Sequence, residues 1–170
     1  KYDDPEILKV GNPYLRPQFT SNIELAYKNS WKSGSLYGAV FTRFIKDYLD
    51  RMYNADPSSN TGIVYAITQN LNSAKNYGFE IGAEQRISDK WNINASFDWY
   101  TNEIDAAGGT TLYPRPLSYS FPRQSMNTWN AKLNNNFNLS SSMSCQLSAV
   151  YFTPDLIPQG VMKQRFSLDA

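Results

Sequence analysis

A period of two runs through most of this chain. From Phe19 the odd positions read Phe19, Ser21, Ile23, Leu25 and Tyr27, against Thr20, Asn22, Glu24, Ala26 and Lys28. Side chains alternate between the faces of a β-strand, so this pattern predicts one apolar and one polar face. The same alternation returns at Lys75–Ile87, at Trp91–Tyr100, at about Asn127–Leu139 and from Met143 to Tyr151. Between Trp91 and Tyr100 it is cleanest: Trp91, Ile93, Ala95, Phe97 and Trp99 oppose Asn92, Asn94, Ser96, Asp98 and Tyr100. A run from Ser35 to about Asp50 divides less sharply. Leu36, Val40 and Phe44 share one face, and Tyr37, Phe41, Arg43 and Ile45 the other, which is assigned to the polar side. A further run begins near Met162, with Phe166 and Leu168 against Arg165, Ser167 and Asp169.

The connections carry a second pattern. Short turns fall at 31–34, 88–91 and 139–142, and Gly34 is available there for a positive φ. Long breaker-rich stretches fall near 51–70, 105–125 and 153–161, with Ile63–Ile67 as a hairpin arm inside the first. In an up-and-down meander, the short turns then gather at one end and the long loops at the other. Long strands, one apolar face and this asymmetry fit a transmembrane β-barrel, whose closure satisfies every backbone group in hydrocarbon. A soluble sandwich would turn the same apolar face into a core, but soluble strands average about 5–6 residues. The expected fold class is therefore all-β: an antiparallel up-and-down transmembrane β-barrel segment of about seven strands from a larger barrel.

Composition supports this and removes rivals. Aromatics are 15% of residues although mean hydropathy is only −0.52, and the polar faces are rich in Asn and Ser. With no histidine, serine–histidine and cysteine–histidine nucleophile pairs are absent, as is every histidine-dependent metal site. The lone Cys145 cannot build a zinc cluster and falls on the apolar face. A net charge of +1 gives no global field for nucleic acid. Lys1–Pro5 carry no signal-peptide apolar core. The reading is of a protein that is not an enzyme and needs no cofactor or metal.

Two groups of residues stand out. Glu24, Arg43, Glu80, Glu84, Arg86 and Asp98 fall on the polar face, as charges of a wet lumen paired across strands or to an inserted domain. Tyr53, Tyr113, Arg115, Tyr119 and Arg123 lie in or near the long loops, where aromatic and guanidinium surfaces suit glycans, siderophores or peptides. Self-packing of the loops explains the same residues without a ligand. Trp31 and Trp91 by the short turns, and Trp99, Tyr100 and Tyr151 by the long loops, read as two aromatic belts. Gly78 and Gly82 lie on the polar face, either leaving room for a plug or relieving strand curvature.

Three elements carry a family resemblance. Residues 11–27 read GNPYLRPQFTSNIELAY, residues 75–82 read KNYGFEIG, and the stretch from Tyr151 leads to Pro158-Gln159-Gly160. In this order they resemble the barrel of TonB-dependent outer-membrane transporters, particularly its outer-membrane β-barrel branch. The departure is Gln18, where that family usually has Glu. The resemblance implies a barrel of about 22 strands around an N-terminal plug, of which this chain would be a C-terminal-half section, lacking plug, energy-coupling segment and final aromatic strand. Residues 1–17 would be an extracellular-side loop leading into the barrel, and 18–170 a partial barrel. It further implies an integral protein of the Gram-negative outer membrane. The implied activity is energy-coupled import of a large or scarce nutrient. The implied partners are the plug, the remaining strands, the energy-coupling inner-membrane complex, lipid or lipopolysaccharide and a surface lipoprotein. The alternatives are a small outer-membrane or soluble β-barrel binding module or adhesin using its long loops, and an outer-membrane barrel hydrolase.

Overall fold

The computed structural model describes residues 7–55, 62–113 and 115–170. Its frame is one antiparallel sheet of seven strands. In chain order these are β2 (Phe19–Trp31), β3 (Gly34–Lys46), β6 (Ser73–Ser88), β7 (Trp91–Ile104), β10 (Gln124–Ser140), β11 (Met143–Phe152) and β14 (Arg165–Asp169). Each pairs with the next in that order, giving the meander that the alternation predicts. Two-residue turns close β2–β3, β6–β7 and β10–β11 at one end of the sheet. Bulges at Arg86/Ser88 and Asn138/Ser140 add twist beside two of them.

The register separates the faces along the whole sheet. Leu25 pairs with Val40, Val40 with Phe79, Phe79 with Trp99, and Trp99 with Trp129. On the other face, Ala39, Glu80, Asp98, Asn130 and Phe152 form one continuous rung. The run from Ser35 divides as expected, with Leu36, Val40 and Phe44 on the apolar side. The apolar face is uncovered: Leu25 is 75% exposed, Ile23 66% and Phe166 66%.

Rings stack across that face in two groups. Phe79, Phe97, Trp99, Trp129 and Tyr151 join at centroid distances of 5.1–6.1 Å near the long-loop end. Trp91 and Phe137 stack at 5.7 Å near the short turns. There the Trp31 indole donates to Gln85 Oε1 at 3.1 Å and the Trp91 indole to Asn135 Oδ1 at 3.2 Å. Tyr100 corrects the expected belt. It lies on the polar face, opposite Gly78 and Thr128, because it is one residue out of phase with Trp99.

Gly34 corrects another expectation. Among the described residues the positive φ values fall at Asp47, Gly62 and Gly160, so the turn does not use Gly34 for its handedness. Gly34 is needed for close approach instead: a Cβ there would stand 2.3 Å from the Glu84 carbonyl oxygen.

The long connections are largely built structure. The first holds β4 (Leu49–Ala55) and β5 (Val64–Asn70), and β1 (Ile7–Val10) adds to β5 in parallel. The expected continuation of the run from Ser35 to about Asp50 breaks at Asp47, whose φ of 53° turns the chain out of the sheet. The second holds the β8 (Ala107–Thr110) and β9 (Ser118–Phe121) hairpin, and the third the β12 (Asp155–Ile157) and β13 (Gly160–Met162) hairpin. The expected breaker cluster 56–60, Pro114 and Lys1–Pro5 lie outside the described residues.

The buried core sits where these loops meet the sheet. Met52, Leu71, Ala74, Ile104, Phe121 and Leu156 pack together, with Ile45, Tyr48, Tyr119 and Met126 against them. Ile45, Ala74 and Ile104 form one rung of the polar face, so that face turns apolar in its last turn of sheet. The three loops therefore fold over the polar side. Met52 and Ile104, at 0% and 1% exposure, each contribute about 1.5–3 kcal/mol of burial.

Candidate functional site

The polar face and the loop cluster at its end form one continuous surface. Glu24, Arg43, Glu80, Glu84, Arg86 and Asp98 all project on this side. Glu80 and Asp98 are direct cross-strand partners. Two carboxylates so placed repel, and neutral donors hold each one. Tyr37 Oη donates to Glu80 Oε1 at 2.7 Å, and Asn130 Nδ2 to Asp98 Oδ2 at 3.4 Å. Asn92 Nδ2 donates to Glu84 Oε1 at 3.3 Å. Arg43 Nε donates to Asn22 Oδ1 at 3.3 Å, and its guanidinium lies 5.0 Å from the centre of the Phe41 ring. None of the six makes an ion pair with another described residue. The expected pairing of charges across strands is thus replaced by amides and phenols, the residue types in which this face is rich.

Glycines shape this wall. Gly78 and Gly82 sit opposite Phe41 and Tyr37. A Cβ on Gly78 would lie 2.1 Å from the Trp99 carbonyl oxygen and 2.6 Å from Tyr100 Cα, so the strands approach too closely for any side chain. Gly78 is therefore required by the close approach of β6 to β7. Gly82 has open space, its nearest neighbours 3.9–4.0 Å away. Beside it lies a concavity of about 370 Å³ lined by Lys28, Tyr37, Glu84, Asn94, Ser96 and Lys132.

Two nodes fix the third loop, one to the sheet and one to the first loop. At the first, Asp155 of β12 accepts from Tyr100 Oη at 2.9 Å, Thr128 Oγ1 at 3.3 Å and Asn102 Nδ2 at 3.5 Å. Thr128 is fully buried and shares its single hydroxyl proton between Asp155 and the Pro154 carbonyl, the latter at 3.0 Å. The third loop is thus held inward by wall residues on two strands. At the second node, Gln159 reaches β4: Tyr53 N–H donates to its Oε1 at 2.6 Å, and its Nε2 donates to the Tyr53 carbonyl at 3.1 Å. Gly160, at φ 155°, makes the bend beside it.

The chain entering β2 is fixed similarly. Asn12 Nδ2 donates to the Thr68 carbonyl and Gln69 Oε1, both at 3.1 Å. Arg16 pairs with Asp47 at 2.6 Å, and Asn70 bonds the Arg16 backbone at 2.7 and 2.9 Å. Gln18 Oε1 accepts from Leu49 N–H at 2.8 Å. This position needs an acceptor, which glutamine supplies as well as glutamate does. Burial first, and the 2.7 Å bond to Asp50 second, raise the Tyr48 hydroxyl above the ordinary phenol range.

The five loop residues singled out in the sequence do not converge. Tyr53 is 48% exposed and borders a groove of about 470 Å³ with Asp50, Arg51, Ile157, Pro158 and Gln159. Tyr113 is 47% exposed, and Arg115 shares its turn, which Thr111 pins through bonds to Arg115 and Leu117 at 2.8–3.0 Å. Tyr119 packs against the loop core and over Gly109. Arg123 lies at the outer rim, paired with Glu103 at 2.8 Å and Asp105 at 3.6 Å. Asp155 and Gln159 were not singled out as site residues. The Pro158-Gln159-Gly160 signature marks Gln159, whereas Asp155 shows no local signal because its partners lie on distant strands.

The model of the outer membrane protein beta-barrel family matches residues 1–170. No curated protein matches the chain. No solved structure matches it either. The chain belongs to the outer membrane protein beta-barrel family.

Proposed function

We propose that this chain forms a section of the wall of an energy-coupled, TonB-dependent transporter embedded in the Gram-negative outer membrane. The observation that carries the reading is the inward fold of the three long connections. The third is tied to the polar face through Asp155 and to the first through Gln159, the core of all three packs on the end of that face, and the opposite face stays apolar and bare. An apolar face of this extent needs cover, and lipid supplies it between two rows of rings. From Trp91 to Trp99, eight steps along β7 give about 27 Å of strand. Tilted by about 40°, this is about 20 Å of membrane depth. The edges at β2 and β14 then require further strands, because unpaired backbone is costly in hydrocarbon.

In this account the wet face lines the import path, and its unpaired charges face an inserted plug or a polar cargo. The loops restrict the outer mouth, and exposed Tyr53 and Tyr113 with half-buried Arg115 offer the capture surface. The cargo class is a siderophore, glycan or peptide too large or too scarce for passive entry. The chain does no covalent chemistry. Import is driven by the inner-membrane complex through the plug, with a surface lipoprotein assisting at the mouth.

Uptake of radiolabelled candidate cargo by cells carrying the whole protein tests this. Transport that stops when the energy-coupling protein is removed, while surface binding persists, supports import. Binding unchanged by energy coupling and never followed by uptake makes the protein an adhesin or binding module instead.

A further inference from the structure

Charge on the apolar face is confined to one corner. Among the described residues of the seven strands, the only charged side chains on that face are Lys46, Lys75 and Glu103. All three lie at the long-loop end, beyond the ring row that begins at Phe79 and Trp99. Lys46 pairs with Ser73 and Phe44 with Lys75, so the two lysines are diagonal neighbours on adjacent strands, about 7–8 Å apart by sheet geometry. Arg123 enters the same concavity, of about 380 Å³, which Phe19 and Phe44 floor.

The charges here are unevenly satisfied. Glu103 accepts from Arg123 at 2.8 Å and from Tyr77 Oη at 3.2 Å, and Asp105 is also within reach of Arg123. Both acids are therefore engaged. Lys46 and Lys75 make no ion pair with a described residue. Lys75 stands directly opposite Glu103 across the strands, yet its Nζ turns to the rings, 5.3 Å from the centre of Phe44 and 4.8 Å from that of Tyr77, and makes no ion pair with that acid.

We propose that Lys46 and Lys75 form a binding site for the phosphate of an outer-leaflet glycolipid, with its acyl chains lying on the apolar face below. Charges on a barrel's lipid face cost least at the headgroup level, which is where the two lysines stand. Two long lysine side chains on this diagonal reach a common phosphate, and the apolar face continues from Phe44 towards Val40 and Leu36. The site rests on the apolar face meeting lipid, and it is independent of what the barrel imports.

The test uses the whole protein, purified in mild detergent and delipidated, with purified lipid A as probe and native mass spectrometry as readout. Lys46→Gln/Lys75→Gln should weaken retention of phosphorylated lipid A by about thirtyfold. Lys46→Arg/Lys75→Arg should retain it, which controls for folding. Dephosphorylated lipid A should bind the wild type and the Gln pair equally weakly. Equal retention of phosphorylated lipid A by wild type and Gln pair overturns the site, as does displacement by millimolar inorganic phosphate. A wild type that retains no lipid of either kind overturns the lipid-facing wall as well.

Discussion

Gln159 completes the free edge of β4 as a strand would: its side-chain amide exchanges two hydrogen bonds with the Tyr53 backbone, at 2.6 and 3.1 Å, across 106 residues of sequence. This bond pair joins the first and third loops. Gln159→Leu should remove both bonds, at about 0.5–1.5 kcal/mol for each. The Tyr53 amide should exchange faster in hydrogen-exchange mass spectrometry, while amides of β10 keep their protection. Gln159→Glu keeps the acceptor and should give an intermediate rate.

Asp155 holds the third loop against the wall, and its partners are less exposed than those of Gln159. Asp155→Ala leaves the Tyr100 and Thr128 hydroxyls without that acceptor. The expected cost is about 1–3 kcal/mol. Limited proteolysis should then cut near 153–162 before any cut in the sheet. Equal protease resistance in the variant would show that the loop is held by its apolar contacts alone.

The two glycines of the polar face should behave differently. Gly78→Ala puts a methyl 2.1 Å from the Trp99 carbonyl oxygen, whereas Gly82→Ala meets nothing closer than 3.9 Å. Gly78→Ala should lower stability by about 1–3 kcal/mol or more through overpacking, and Gly82→Ala should be close to neutral. Heat-modifiable mobility on gels, a readout of assembled barrel, separates the two.

Tyr48 sets a direction for alkaline behaviour. Its hydroxyl is raised above the unfolded value, chiefly by burial and then by Asp50. The folded state thus holds this proton more tightly. Its contribution is full below about pH 10 and is lost as pH rises from there through the higher folded value. Thermal melts should fall in that window, and Tyr48→Phe should flatten the fall.

Much of the sheet is legible in the sequence because a period of two leaves little choice of face. Trp91–Trp99 shows this, with apolar residues at every odd position. Even the ambiguous run from Ser35 resolves correctly, since Arg43 marks its polar side. What is hidden is the end of the sheet. Ile45, Ala74 and Ile104 break the pattern because the loops pack there, and local alternation cannot show a partner tens of residues away. Tyr100 misleads for a related reason: next to Trp99 it looks like a belt residue, but its phase sends it to Asp155. The loop residues stand out in the sequence by type rather than by position, so Tyr119 and Arg123 fall in different surroundings from Tyr53. Gly34 in its short turn looks available for a positive φ, but its role is the gap it leaves for the Glu84 carbonyl.

The central claim is that the two faces of β10 meet different solvents. Single-cysteine labels at Ala131, Lys132, Leu133 and Asn134, in a Cys145→Ser background and in native-like bilayers, test it directly. Spin labels at 131 and 133 should be reached by oxygen dissolved in lipid and shielded from a water-soluble nickel chelate, and labels at 132 and 134 should show the reverse. If the odd positions are shielded from both reagents, the apolar face is a protein core or interface, and the membrane-wall account is contradicted.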